Sequence, residues 1–211
     1  MRLVVTDVDS TFITAEVIEL LAERAGSAER VAQVTERAMR GEIDFATSLH
    51  ERVATLAGLP VSVFDEVRAE VELSPGAREL VTELQARGWP LGLVSGGFAE
   101  VVEPLAASLG IEHVRANRLE VAGGRLTGRV TGEIVDRAGK ERALREIARL
   151  LDIPLEHTVA IGDGANDLDM LRAAGLGIAF NAKPLVCAEV DFEVTGRLDA
   201  VLDIIDAHPV R

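Results

Sequence analysis

The chain has no tyrosine, one tryptophan and only 3% aromatic residues over its 211 positions. So thin a complement leaves no platforms on which nucleic-acid bases could stack. Basic residues are also scarce: 22 Lys and Arg against 35 Asp and Glu give a net charge of −13. That balance opposes binding to nucleic acid or to an anionic membrane surface. A small anionic substrate is not excluded, because it responds to the local field of its pocket. A single cysteine, Cys187, rules out an internal disulfide framework. No apolar run approaches the roughly 20 residues that a membrane span needs. Met1-Arg2 is followed by only three clearly apolar residues before Thr6 and Asp7, so no signal peptide is expected. These absences lead to the expectation of a cytoplasmic protein.

What is present is the composition of an ordinary globular protein, long enough for one substantial core plus a small second domain. Short apolar runs ending in Gly or Asp alternate with helical stretches: Leu3–Val5, Leu91–Val94, Val159–Ile161 and Leu176–Phe180. That alternation predicts βα units and a Rossmann-like parallel sheet flanked by helices. Residues 14–74 read differently, with helical periodicity and no convincing strand. Val17, Leu20 and Leu21 form one apolar face, Val31, Val34 and Ala38 another, and Phe45, Leu49, Val53 and Leu56 a third. The expected organisation is an α/β core made of 1–13 and 75–211, with a small helical cap, 14–74, inserted after the first strand. Leu119-Glu120-Val121, Gly123-Gly124 and Arg125–Val130 predict a β-hairpin.

The chemistry-bearing residues follow the strands. Asp7-Val8-Asp9-Ser10-Thr11 comes directly after the first apolar run, so it falls at the carboxyl edge of the sheet, where α/β proteins bind ligands. Two carboxylates that close repel each other and favour a cation. Val94-Ser95-Gly96-Gly97 ends the next run with a hydroxyl and two glycines, which let backbone amides approach an anion. Lys140 stands in a first helical turn, where it opposes the helix dipole; surface charge explains it poorly and a nearby phosphate explains it well. Ile161-Gly162-Asp163-Gly164-Ala165-Asn166-Asp167 supplies two more carboxylates at a strand end. Hard oxygen donors without a His or Cys set suit Mg²⁺ rather than zinc. Arg52 falls within the apolar face of Phe45, Leu49 and Val53, so it either snorkels to solvent or meets an anion there. Glu16 is either a partner for a cation or a plain acid at a helix start.

The order D-x-D-x-T, strand-end Ser-Gly, Lys, G-D-x-x-x-D resembles the haloacid dehalogenase superfamily of aspartate-nucleophile phosphatases, over residues 3 to about 180. Asp7–Thr11 with Glu16, Gly41–Val53, Val94–Gly97 and Gly162–Met170 are in detail similar to its phosphoserine phosphatase family, in the short form without regulatory domains. The resemblance implies Asp7 as the nucleophile that becomes aspartyl-phosphate, and Asp9 as the general acid and base. It implies Ser95, Gly96 and Lys140 as holders of the phosphoryl oxygens, with Asn166 beside them. Mg²⁺ would be held by Asp7, Asp163 and the backbone carbonyl of Asp9, with Asp167 supporting it from behind. Arg52 would meet the substrate carboxylate, Glu16 its ammonium, and Phe45 would wall the pocket. The implied reaction is Mg²⁺-dependent hydrolysis of O-phospho-L-serine, the last step of serine synthesis.

Two alternatives remain at this point: phosphoryl transfer to another small alcohol such as homoserine, and a phosphatase for another small phosphomonoester. A ligand-binding module without catalysis fits poorly, since it has no need of both aspartates in the first loop. A homodimer is the base-rate expectation only. Two positions depart from the family pattern: His50 stands where a basic residue is common, and Phe12 where a smaller aliphatic one is.

Overall fold

Strand β1, Leu3–Thr6, is buried along its whole length, as an apolar run covered on both faces must be. It belongs to a computed structural model that describes residues 1–209; positions 210 and 211 of the expected core segment lie outside the described residues. After β1 the chain makes a tight turn through Ser10 at φ 59°, and Phe12 and Ile13 are fully buried. Ile13 pairs antiparallel with Leu73. Between these two residues run four helices: α1 Val17–Arg24, α2 Ala28–Met39, α3 Phe45–Ala54 and α4 Val63–Glu70.

The first three helices bury the faces anticipated from their spacing, with Val17, Leu21, Val31, Val34, Leu49 and Val53 all at 1% exposure or less. Leu56 is buried too, although it lies beyond the end of α3. Helix α4 had no separate apolar face in the sequence reading; it buries Val63, Phe64 and Val67. His50 is exposed.

The chain then continues as α5 Ala77–Ala86, β2 Leu91–Phe98, α6 Ala99–Ser108, the strands β3 His113–Ala122 and β4 Arg125–Thr131, and α7 Arg137–Leu150. It ends with β5 Thr158–Gly162, α8 Leu168–Ala173, β6 Leu176–Phe180, α9 Pro184–Cys187, β7 Phe192–Val194 and α10 Val201–Ala207. The strands form one sheet in the order β4-β3-β2-β1-β5-β6-β7. All neighbours are parallel except β3 and β4.

Alternation along β1 divides the core into two layers. Val4 joins Leu93, Ile161 and Ile178 against α5, α6 and α10, whereas Leu3 and Val5 join Ala160 and Ala179 against α7 and α8. β1 sits at the centre between β2 and β5, so the carboxyl ends of these three strands open on one crevice.

The hairpin does more than close the sheet edge. Gly58 donates to the carbonyl of Leu126 at 2.8 Å, Leu126 donates to that of Leu59 at 2.9 Å, and Val61 donates to that of Gly124 at 3.0 Å. The loop between α3 and α4 is thus laced to the hairpin. Gly128, at φ +81°, lies so close to the end of α3 that a Cβ there would stand 3.2 Å from the Ala54 carbonyl and 3.0 Å from the Ala57 methyl just beyond it. On the opposite side, an Arg68 guanidinium nitrogen on α4 donates to the carbonyl of Glu100 at 2.9 Å.

Candidate active site

The Asp7 amide donates to the carbonyl of Ile161 at 2.9 Å, continuing the β1–β5 ladder by one residue. That bond fixes the backbone from which the Asp7 carboxylate projects into the crevice. Asp7 is 3% exposed. From β5, Gly162 leads into a turn carrying Asp163 and Asp167. Helix α7 is started by Asp136, whose side chain accepts from the Gly139 amide at 2.7 Å. Its first turns deliver Lys140, which is 1% exposed, beneath the same crevice. The Lys140 ammonium pairs with Asp7 and with Asp167, the latter at 2.6 Å. The partners that a lysine against the helix dipole demands are therefore two buried carboxylates.

Oxygens of Asp7, Asp163 and Asp167 lie within 4.8 Å of one another. Burial, and then the Asp167 charge, push Asp7 well above the usual carboxylate range, against the pull of Lys140. Asp163 is raised by the same two causes. Burial would lower the Lys140 ammonium, but Asp167 and Asp7 outweigh it and hold the group above the ordinary lysine value.

Asp167 is already engaged. One of its oxygens accepts from Lys140, and the other from the amides of Asp163 at 3.2 Å and Gly164 at 3.0 Å. Asp163 accepts from the Thr11 hydroxyl at 3.1 Å. The donor set is all hard oxygen, and one ammonium leaves the three carboxylates undercompensated. A divalent cation of the Mg²⁺ type fits that chemistry.

Asp9 stands on the other side of Asp7 and is held by two donors. The Val17 amide donates to one oxygen at 2.8 Å and the Ser95 hydroxyl to the other at 2.7 Å. The Gly97 amide in turn donates to the Ser95 oxygen at 2.7 Å. A Cβ on Gly97 would fall 2.5 Å from the Asp9 carboxylate, so only glycine lets the β2 end approach this closely.

The helical segment roofs this floor. The Ser10 hydroxyl donates to Glu16 at 2.7 Å. Burial, followed by the neighbouring Asp9 charge, raises the Glu16 carboxyl to about 7. Arg52 is half-buried and faces the site: burial lowers its guanidinium, and Glu16 and Asp9 partly restore it. Its Nε donates to the Ser48 carbonyl at 3.2 Å, and no carboxylate among the described residues forms an ion pair with it. The Phe45 ring lies 3.1 Å from where a Cβ on Gly96 would stand, so it covers that strand end. The Asn166 side chain lies across Gly164, with its amide oxygen 2.3 Å from where a Cβ on Gly164 would be.

Asp7, Asp9, Ser95, Lys140, Asp163 and Asp167 thus come together at the strand ends, with Glu16, Phe45 and Arg52 reaching them from the helices above and Asn166 beside Gly164. Two contributors had no role assigned beforehand. Thr11 belongs to the opening motif, which could have flagged it. Ser10 reaches Glu16 only because the turn bends through a left-handed conformation.

The model of the haloacid dehalogenase-like hydrolases matches residues 4–172. The phosphoserine phosphatase of Streptomyces coelicolor is 64% identical over 88% of this chain, but the match covers only 45% of that protein. The chain thus spans about half the length of that curated relative. The phosphoserine phosphatase of Streptococcus thermophilus is 52% identical, with 97% of this chain and 95% of that one aligned. A solved structure of a phospho-aspartyl intermediate analogue of phosphoserine phosphatase superposes with a TM-score of 0.90, at 40% identity, covering 97% of this chain and 98% of the other. Among the described residues no helix is long and apolar enough to cross a membrane. With its carboxylates, lysine and strand-end serine on the crevice of a parallel sheet, and with that match in sequence and fold, this chain belongs to the haloacid dehalogenase-like hydrolases.

Proposed function

We propose that this chain hydrolyses O-phospho-L-serine to serine and phosphate through an aspartyl-phosphate on Asp7, with residues 14–74 acting as the cap that selects the substrate. The observation that carries this reading is the stacking of two charge patterns. An Asp7–Lys140–Asp167 cluster lies in the floor, and Arg52, which has no carboxylate partner among the described residues, lies near Glu16 in the roof. The floor suits a phosphoryl group, and the roof suits a carboxylate and an ammonium at once.

In this reading Asp7 attacks phosphorus while Asp9 gives a proton to the departing serine oxygen. Asp9 then takes a proton from the water that cleaves the aspartyl-phosphate. An anion attacking an anion needs positive charge around the transferring group. Lys140 and the Ser95 hydroxyl supply part of it, with the Gly96 amide and Asn166 beside them. Mg²⁺ held by Asp7, Asp163 and the Asp9 carbonyl would supply the remainder as a Lewis acid. Asp167 would act behind it, by fixing Lys140 and the 163–164 amides.

The test is phosphate release with Mg²⁺ from L-phosphoserine beside phosphothreonine, a sugar phosphate and an aryl phosphate. Phosphoserine should be strongly preferred. In Arg52→Ala its KM should rise on the order of 10- to 150-fold, the equivalent of a charge-assisted hydrogen bond. The aryl phosphate, which has no carboxylate, should be turned over nearly as before. Equal rates on all four esters would retain phosphatase chemistry and discard serine.

Glu16 gives the reading a pH signature. A carboxyl that holds its proton to about 7 in the free protein must release it to pair with an ammonium. Affinity for phosphoserine should therefore rise as pH increases through about 7 and level off above it. At one unit below that value only about a tenth of the sites are ionised. The substrate's own phosphate titrates near 6 in the same direction. Glu16→Gln should remove the step at 7 and leave the phosphate's, and KM measured from pH 5.5 to 8.5 separates them. An unchanged profile in the variant would remove Glu16 from ammonium recognition.

A further inference from the structure

Asn117 is 2% exposed in the middle of β3, yet it carries a full amide. It is bonded to the strand end that lines the crevice, and it has no part in the reaction as described so far. Its surroundings explain why an amide is there. Between β2 and β3 the register slips: Val94 pairs with Arg115, but the next pair is Phe98 with Asn117. Ser95, Gly96 and Gly97 therefore bulge against a single residue of β3, and the bulge removes Gly96 from the backbone ladder. The Asn117 side chain stands in for the missing strand, with Nδ2 donating to the Gly96 carbonyl at 2.8 Å. Its Oδ1 accepts from the Val135 amide, also at 2.8 Å. The orientation of the amide follows from its partners, since a carbonyl only accepts and a backbone N–H only donates.

Both partners lead into the site. In a trans peptide the carbonyl and the following N–H point in opposite directions. Holding the Gly96 carbonyl toward β3 thus aims the Gly97 N–H at the Ser95 oxygen, whose proton goes to Asp9. Val135 immediately precedes Asp136, the residue that starts the helix carrying Lys140. We propose that Asn117 is a positioning residue for the phosphoryl site. Its single amide sets the Ser95–Gly97 bulge and the start of the Lys140 helix at a fixed separation. It holds the groups that meet the phosphoryl oxygens and makes no hydrogen bond to Arg52 or Glu16. What those groups hold rests on the phosphatase reading above.

Aspartate is the sharpest probe, because it keeps the shape and replaces the donor with an acceptor facing the Gly96 carbonyl. With wild-type chain, Asn117→Asp and the smaller Asn117→Ser, one would measure kcat and KM on phosphoserine and on an aryl phosphate, inhibition by inorganic phosphate and by L-serine, and melting temperature. The expected result for Asn117→Asp is a loss of about 10²-fold in kcat/KM on both esters. Inhibition by inorganic phosphate should weaken at least tenfold and inhibition by serine by less than twofold. Asn117→Ser should show the same split with a smaller loss, and it serves if the aspartate variant does not fold.

Rates within threefold of wild type in a folded variant would overturn the proposal. So would phosphate and serine inhibition weakening in parallel, which would mark general loosening of the fold. If wild-type chain ignores both phosphoserine and serine, the substrate assignment fails. The aryl phosphate and inorganic phosphate arms still judge Asn117 in that case.

Discussion

Asp7→Asn is expected to leave a folded protein that binds phosphoserine and does not turn it over. The asparagine keeps the backbone bond to Ile161 and the side-chain volume, but it lacks the anionic oxygen that would take the phosphoryl group. Loss of a nucleophile should lower kcat by roughly 10⁴-fold or more. Calorimetry should find phosphoserine affinity within a few-fold of wild type, because the Arg52 and Glu16 contacts are untouched. Stability should not fall. Burial and the Asp167 charge hold the Asp7 carboxyl above its ordinary value, so the folded, metal-free protein binds more protons than the unfolded chain. Stability then declines as pH rises above the ordinary carboxylate range. The variant should lack that part of the decline and melt at the same temperature or higher at neutral pH. A variant that still releases phosphate at the wild-type rate would sink the covalent mechanism.

Lys140→Met should have the opposite balance, with large losses in both rate and stability. Among the described residues the ammonium is the one cation in contact with two buried carboxylates. Removing one partner of a buried ion pair costs about 3–5 kcal/mol, because the remaining charge is left uncompensated. Removing a donor aimed at the transferring oxygens costs about 10²–10³-fold in kcat. The two effects are separable by adding Mg²⁺. The cation should raise the melting temperature of the variant more than that of wild type, since it meets a larger uncompensated charge. The rate should stay low, since the metal does not stand where the ammonium did. A variant within tenfold of the wild-type rate would place Lys140 in folding rather than in phosphoryl transfer.

Much of this site was legible because its residues follow apolar runs. Leu3–Val5 and Val159–Ile161 are unmistakable as buried strands, and whatever comes next in the chain must lie on the crevice. Leu176–Phe180 coincides with β6. The fold was harder to read toward the sheet edges, where burial is incomplete. The parallel half of β3, from His113 to Asn117, mixes charged and polar residues because the strand is near the edge. Only the hairpin beyond it could be anticipated. β7 is three residues long with Glu193 at its centre, too short and too polar to stand out. Asn117 was invisible for a different reason. Its role comes from a slip in register between two strands, and no local spacing encodes a partner some 20 residues away. Arg52 was legible as a charge in an apolar face, but its nearness to Glu16 and Asp9 depends on how the helices pack over the strand ends and was not.

The lacing of the α3–α4 loop to the β3–β4 hairpin makes the placing of the helical segment a property of two separate stretches of chain. Anyone who grafts residues 14–74 onto a related core to change its specificity would carry over only one side of the seam. The Leu126 and Gly124 backbone groups that hold Gly58, Leu59 and Val61 would be left to an unrelated hairpin. The transplantable unit is the helical segment together with 113–131. Chimeras made without that second piece should differ from the donor in where Arg52 sits, even with every residue of 14–74 identical.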